Sequence, residues 1–321
     1  MKKLFTLKYL FVLAMFFGSF MVQAADLITE QVVVKLDEPG TLQDKIESAK
    51  KDKITNLKIV GKVNGTDWKL IREMAGRDKS GTPTNGVLSV LDLSEARIVE
   101  GGDSYSGRWG TENDKLGKEA FSGCSVLTDV TLPAVLTSID MQAFWECSGL
   151  KKLNIPSGVT TIGLCAFYGC RSLTSLSLPP SLEFIDIEAF NACSSLTSIS
   201  IPASVTSIGE AAFWQCYSLE SIFMYSAKVP SLGPNLFYQL DKELCTVYVP
   251  KGTLDVYRKS QFGYFDNIVE FDATGVSNIT TSTDIKEVAR YSMNGQRLSA
   301  PSKGLNIVKY SDGSVKKVAV Q

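Results

Sequence analysis

The apolar positions of this chain recur every 23 residues through its middle third. Phe121, Phe144, Phe167, Phe190 and Phe213 mark the period. Each is preceded by alanine (Ala120, Ala143, Ala166, Ala189, Ala212) and followed at the third position by cysteine (Cys124, Cys147, Cys170, Cys193, Cys216). Three residues further stand Leu127, Leu150, Leu173, Leu196 and Leu219, and then the alternating pairs Val130/Leu132, Leu153/Ile155, Leu176/Leu178, Ile199/Ile201 and Ile222/Met224. That alternation predicts a short strand with one face buried. Pro133, Pro156, Pro179 and Pro202 close the strands, because proline has no N–H to give a ladder. A second apolar pair follows: Leu136/Ile139, Val159/Ile162, Leu182/Ile185 and Val205/Ile208. Right after it come Asp140, Gly163, Asp186 and Gly209, a slot that reads as a tight turn. A fixed period of this length predicts a solenoid of stacked coils and not a compact enzyme core.

The stretch SLTSISIPASVTSIGEAAFWQCYSL (195–219) resembles the leucine-rich repeats of the BspA-like family, and five ungapped copies make the resemblance specific. It implies an α+β repeat solenoid: a leucine-rich-repeat, right-handed superhelix of short strands, capped at both ends. It also implies a secreted or cell-surface protein of Bacteroidetes that recognises other molecules, with no catalysis and no cofactor. The periodicity alone carries the solenoid and not that role.

Residues 1–24 read as an export signal. Lys2, Lys3 and Lys8 precede an apolar run from Leu10 to Phe17, and small residues follow at Ala24 and Ala25. That run is too short to span a membrane. Residues 25–84 read as an N-terminal cap, since a bare solenoid end would expose its core. In it, QVVVKL (31–36) alternates like a strand, 41–50 reads as a short helix opened by Thr41, and TDWKLIREMAG (66–76) reads as a helix opened by Thr66 or Asp67 and stopped by Gly76. Residues 85–271 read as the repeat solenoid with its C-terminal cap. They hold a polar, glycine-rich insertion, 101–118, carrying Asp103, Tyr105, Arg108, Trp109, Glu112 and Asp114, which serves either as a connector or as a ligand-contacting loop. The ending KGTLDVYRKSQFGYFDNIVEF (251–271) reads as a closing helix and strand and is similar to the family's C-terminal cap. Residues 272–283 read as a linker. Residues 284–321, with turn signals at Asn294-Gly295 and Asp312-Gly313, read as a small all-β module. It resembles the short C-terminal modules of secreted Bacteroidetes proteins, which implies a sorting or anchoring role.

Composition narrows the chemistry. The chain has no histidine, which removes Ser-His-Asp and Cys-His catalysis and His-bearing zinc sites together. A carboxylate hydrolase survives as a distant reading. Its obvious candidates, Asp140 and Asp186, occupy slots that glycine fills in other coils. The five-cysteine column reads as small, buried, reduced thiols, and the absence of any C-x-x-C argues against a metal or redox site. Loss of the first 24 residues leaves 30 basic residues against 34 acidic ones. Within 121–224 there are three basic and eight acidic residues, which argues against nucleic acid or an anionic membrane as ligand.

Two surfaces are candidates for binding. One is the outward strand face, hydroxyl-rich and little charged, with Lys152, Asn154, Ser175, Ser177, Ser198, Ser200 and Phe223. The other is the residue after each repeat phenylalanine: Ser122, Trp145, Tyr168, Asn191, Trp214 and then Tyr238. Trp145, Tyr168 and Trp214, with Trp109 of the insertion, are the aromatic candidates for stacking on sugar rings or packing on a protein. The leading expectation is adhesion to a protein ligand, such as a host matrix or bacterial surface protein, through the strand face. The alternative is a glycan-binding accessory protein that uses the aromatic column.

Overall fold

The computed structural model describes residues 26–271, and between 287 and 320 it describes the backbone of four strands. The expected export signal, the 272–283 linker and the turns at Asn294-Gly295 and Asp312-Gly313 lie outside the described residues. The chain divides after Phe271 into two compact units. In the second, Glu287–Ser292 lies between Arg297–Leu298 and Gly304–Tyr310, and Val315–Val320 pairs on the far side, all antiparallel.

The first unit is a parallel-strand solenoid. One five-stranded ladder runs through Val32–Leu36, Asn56–Val63, Val90–Ile98, Asp129–Thr131 and Lys152–Asn154. A bridge between Asn154 and Ser177 carries it into a second five-stranded ladder: Ser175–Leu176, Ser198–Ile201, Ser221–Met224, Thr246–Pro250 and Asn267–Phe271. Its inward positions are the leucines and isoleucines of the alternating pairs, as the pattern requires. The pair after each proline forms a further, six-stranded parallel ladder: Lys115–Leu116, Ser138–Ile139, Thr161–Ile162, Phe184–Ile185, Ser207–Ile208 and Ser231–Leu232. The sequence marked these positions as apolar without resolving them as strands, because two residues are too few to show a period.

The third side of each coil is the Ala-Phe turn, and here the backbone does something the side chains do not announce. The residues two before and two after each phenylalanine adopt the left-handed conformation: Glu119, Gln142, Cys165, Glu188, Ala211 and Asn235 on one side, Gly123, Glu146, Gly169, Ala192, Gln215 and Gln239 on the other. For a residue other than glycine this costs about 1–2 kcal/mol. The conformation turns alternate N–H groups out of the coil. Gln142, Phe144 and Glu146 donate to the carbonyls of Leu164, Ala166 and Tyr168 in the next coil at 2.8, 2.8 and 2.7 Å, while the intervening Ala143, Trp145 and Cys147 bond within their own coil. The strain is thus offset by inter-coil hydrogen bonds in a buried region where unpaired groups would cost more.

Phenylalanine rings stack along this side, with centroids 5.3 Å apart from Phe121 to Phe144 and from Phe144 to Phe167, and 5.4 Å from Phe167 to Phe190. The cysteines fill the space beside them. All seven cysteines are free thiols, and Cys147, Cys170, Cys193 and Cys216 each donate to a phenylalanine carbonyl one coil back, at 3.0–3.2 Å. The Asp/Gly slot is set by close approach between coils rather than by turn conformation. A Cβ on Gly209 would lie 2.4 Å from the Ile187 nitrogen, and one on Gly163 would lie 2.8 Å from the Met141 nitrogen. Neither glycine has positive φ.

Helices appear at the ends of the solenoid. Gly65–Met74 is the expected helix, and Gly76 beyond it has φ +93. Its N-cap is Asn64, not Thr66 or Asp67: Asn64 Oδ1 accepts from Thr66 N–H, while Asp67 reaches back to Asn64 N–H. Asp67 also accepts from Gly40 and Leu42 N–H, at 2.6 and 2.9 Å. It therefore does for the preceding segment what Thr41 was expected to do. Thr41 instead bonds the Glu38 carbonyl, and the helix there is a single turn, Leu42–Lys45. At the other end Leu254–Arg258, a 3-10 turn Gln261–Tyr264 and Asn267–Phe271 close the unit, with Phe262 and Phe265 packed on Phe237.

The first Phe turn has no preceding coil to donate to its carbonyls, and side chains replace that coil. Tyr105 Oη donates to Lys118 O at 2.7 Å. Trp68 Nε1 and Arg72 Nη1 donate to Ala120 O at 3.0 and 3.1 Å. These carbonyls correspond to those of Met141 and Ala143, which the backbone serves in the next coil.

Candidate functional site

The continuous ladder sets outward side chains in register along the strand face. Alternation buries Leu153, Leu176, Ile199 and Ile222 and leaves their neighbours turned out. Ser175, Ser198 and Ser221 lie side by side in adjacent strands, and Ser200 stands beside Phe223. Asn154 is bridged to Ser177, and Lys152 pairs with Asp129. The threonines just before these strands are spent on structure: Thr128 and Thr197 hydroxyls donate to Ser89 O and Thr174 O. Among the described residues, no hydrogen bond or ion pair engages the side chains of Lys152, Asn154, Ser175, Ser177, Ser198 or Ser200, each exposed or half-buried. Their polar groups are left to solvent or to a partner.

Toward the C-terminal end the same face turns aromatic. Phe223 stacks on Tyr248 at 4.5 Å and 9°. Phe271 meets Phe223 and Tyr225 edge-on at 6.1 and 5.3 Å, and Val269, 46% exposed, follows Tyr248 in register. Sequence reasoning marked only Phe223. Tyr225 lies just past its strand, and Tyr248 and Phe271 belong to coils where the repeat has degraded. Register, not periodicity, brings them together. The opposite end of the face is charged, with Lys58 held by Glu95 at 2.6 Å and Asp92 at 3.4 Å. The hydrogen bond that Lys58 donates to Glu95 raises the Lys58 pKa above its ordinary value.

The aromatic column lies on a different side, along the Phe turns, and is not continuous. Trp145 stacks on Tyr168 at 6.2 Å and 17°. Asn191, buried, interrupts the row. Trp214 then meets Tyr238 edge-on at 5.4 Å, and the Trp214 indole N–H is buried without a partner among the described residues. Trp109 belongs to neither surface. Its indole N–H donates to Glu119 at 3.2 Å, and the Lys118 ammonium sits 4.2 Å from its ring centre. The insertion folds back on the solenoid through these contacts and through Tyr105, which is buried.

Residues 114–243 match, in six copies, the family model described as a BspA type leucine rich repeat region. No curated protein matches the chain. Among solved structures, a leucine rich repeat protein of T. pallidum is 27% identical, with a TM-score of 0.36 over 46% of this chain and 77% of that one. The pneumococcal vaccine antigen PcpA is 15% identical, with a TM-score of 0.39 over 76% of this chain and 56% of that one. A leucine rich cell surface protein of Faecalibacterium prausnitzii is 20% identical, with a TM-score of 0.32 over 68% of this chain and 51% of that one. The chain thus spans little more than half the length of the last two. The 23-residue coils with their buried Phe and Cys columns thus fall within the region, 114–243, that is similar to BspA type leucine rich repeats.

Proposed function

We propose that this chain is an exported, non-enzymatic binding protein that docks a protein partner on its strand face. The observation that carries this reading is the in-register row of uncommitted polar side chains leading into the Phe223–Tyr248–Phe271 cluster. Interfaces of this kind are anchored by a few aromatic residues, and the polar contacts around them exclude water. A hydroxyl- and amide-rich lane with little charge suits a protein backbone better than a phosphate polymer. The family suggests a host matrix or bacterial surface protein as partner. Export rests on the signal expected at residues 1–24. Among the described residues no helix is long and apolar enough to cross a membrane.

The test is a binding screen of the secreted protein on immobilised matrix proteins and bacterial surface extracts, read by surface plasmon resonance. Tyr248→Ala is expected to weaken a hit by about 30-fold, the scale of a lost hot spot. Lys152→Ala/Ser175→Ala is expected to weaken it by about 2- to 10-fold, as rim contacts do. A hit indifferent to both variants, with thermal unfolding unchanged, removes the strand face from the reading.

A further inference from the structure

We propose that the chain carries a second, separate binding site for an acidic saccharide, in the cavity where the N-terminal helix meets the first two Phe turns. The cavity measures about 470 Å³, the size of one or two sugar rings. Arg72, Arg77, Lys79, Ser80, Gly123 and Trp145 line it. The insertion contributes Ser106, and the two Phe turns contribute Ser122, Ser125 and Ser148.

Three features select the ligand. The first is the aromatic wall. Trp145 is 37% exposed and Tyr168 covers one of its faces. On the other side the next member of the column is Ser122, which is too small to cover an indole. Among the described residues no other aromatic ring stacks on Trp145, which lines the cavity, and the C–H face of a pyranose can pack on it. The wall is the only large apolar side chain there, and the remaining lining is hydroxyl, glycine or charge. That composition fits a ligand rich in hydroxyl groups and not an apolar one.

The second feature is charge. Arg72 and Arg77 direct their guanidinium groups at carbonyl oxygens: Glu119, Ala120 and Asp78 for the first, Gly123 and Gly81 for the second. Neither forms an ion pair among the described residues, nor does Lys79. The two carboxylates of the lining are engaged elsewhere. Glu119 accepts the Trp109 indole N–H, and Glu146 pairs with Arg171 at 3.4 Å. Three cations therefore stand against two carboxylates in the lining, one of them already paired with Arg171, and the balance of charge favours an anion.

The third feature is an orphan donor. Arg72 is 2% exposed, and its Nε–H is buried without a partner. Groups in that position cost stability unless something pairs with them. Uronate carboxylates and sulfate esters both supply the required charge on a pyranose ring.

The experiment titrates the full chain by calorimetry with three oligosaccharides of equal length: a galacturonan, which carries carboxylates; a sulfated galactan, which carries sulfate esters; and the neutral galactan. At least one acidic probe should bind about tenfold or more tightly than the neutral one, and its affinity should fall as salt rises. Trp145→Ala and Lys79→Glu, both at exposed positions, should each lower that affinity by about tenfold. Ser198→Ala/Ser200→Ala should leave it unchanged, which separates this site from the strand face. The carboxylate and sulfate arms name the anion. Equal binding of the neutral probe, full affinity in folded Trp145→Ala, or no binding of any probe at millimolar concentration overturns the proposal.

Discussion

Cys193 sits fully buried between two coils, with its thiol on the Phe167 carbonyl at 3.2 Å. Burial pushes that thiol up to about 12 and the Cys124 thiol up to about 11, and it raises Cys147, Cys170 and Cys216 well above the ordinary 9.0. None is a ready thiolate, so the column is unsuited to redox or metal chemistry under neutral conditions. The shifts have a consequence for stability. Below pH 9 the thiol is protonated in both folded and unfolded chains, and its contribution is fully present. Above pH 9 the unfolded chain sheds the proton while the folded chain keeps it, so stability falls as pH rises toward the folded values. Each thiol contributes about 1.4 kcal/mol per pH unit in that window. Buried Tyr257, raised to about 12, adds to the loss at the upper end. Urea unfolding of the wild type and Cys193→Ala at several values between pH 7 and 11 isolates one thiol. The variant's stability should decline less steeply above pH 9, by the slope of one proton. Parallel curves would mean that this thiol ionises alike in both states.

Each end of the Phe-turn column meets the same physical demand, and the N-terminal end meets it with side chains. Tyr105 provides the cleanest test. Its ring is fully buried, so Tyr105→Phe keeps the packing and removes only the donor to Lys118 O. An acceptor left unsatisfied in a buried place costs about 1–3 kcal/mol. Chemical denaturation should show that loss, and a change within 0.5 kcal/mol, as for a neutral surface substitution, would mean that water replaces the hydroxyl. The sequence placed Tyr105 in an insertion and offered no sign of this role. Coil length, the inward columns and the strand alternation were legible because hydrophobicity marks each of them in every repeat. The left-handed positions were not, since Glu, Gln, Cys, Ala, Asn and Gly share them and only the backbone unites them. Nor was the double use of Asp67, whose further partners Gly40 and Leu42 lie 25 or more residues away, and the cap at Asn64 was hidden because Thr66 and Asp67, both good cap residues, stand just after it. The strand-face candidates Lys152 to Ser200 were named from alternation alone. The aromatic cluster beside them needed the register across degraded coils, where the period had lapsed.

A solenoid coil touches only its neighbours, so the molecule's stability is close to a sum over adjacent pairs and its weakest points are its ends. The two ends of the Phe-turn column are not alike. At the start, Tyr105, Trp68 and Arg72 stand in for a missing coil. Toward the finish, the spacing from Phe213 to Phe237 widens to 24 residues, the ring separation grows to 6.3 Å, and the inter-coil bonds from Ala211, Phe213 and Gln215 lengthen to 3.0, 3.2 and 3.4 Å. The equivalent N–H groups of the last coil, on Asn235, Phe237 and Gln239, have no acceptor among the described residues. The closing turn covers the Phe237 ring through Phe262 and Phe265 and donates to the Gly233 and Leu240 carbonyls, but it offers these N–H groups no acceptor. Opening should therefore begin at that end and spread inward coil by coil, while the strand ladder, extended by Asn267–Phe271, holds longer. Amide hydrogen exchange resolved to single residues measures this directly. Protection should be lowest at Asn235, Phe237 and Gln239, intermediate at Ala211, Phe213 and Gln215, and highest at Gln142, Phe144 and Glu146. Protection at Phe237 equal to that at Phe144 would show the column closed at both ends and would remove the asymmetry from which the gradient follows.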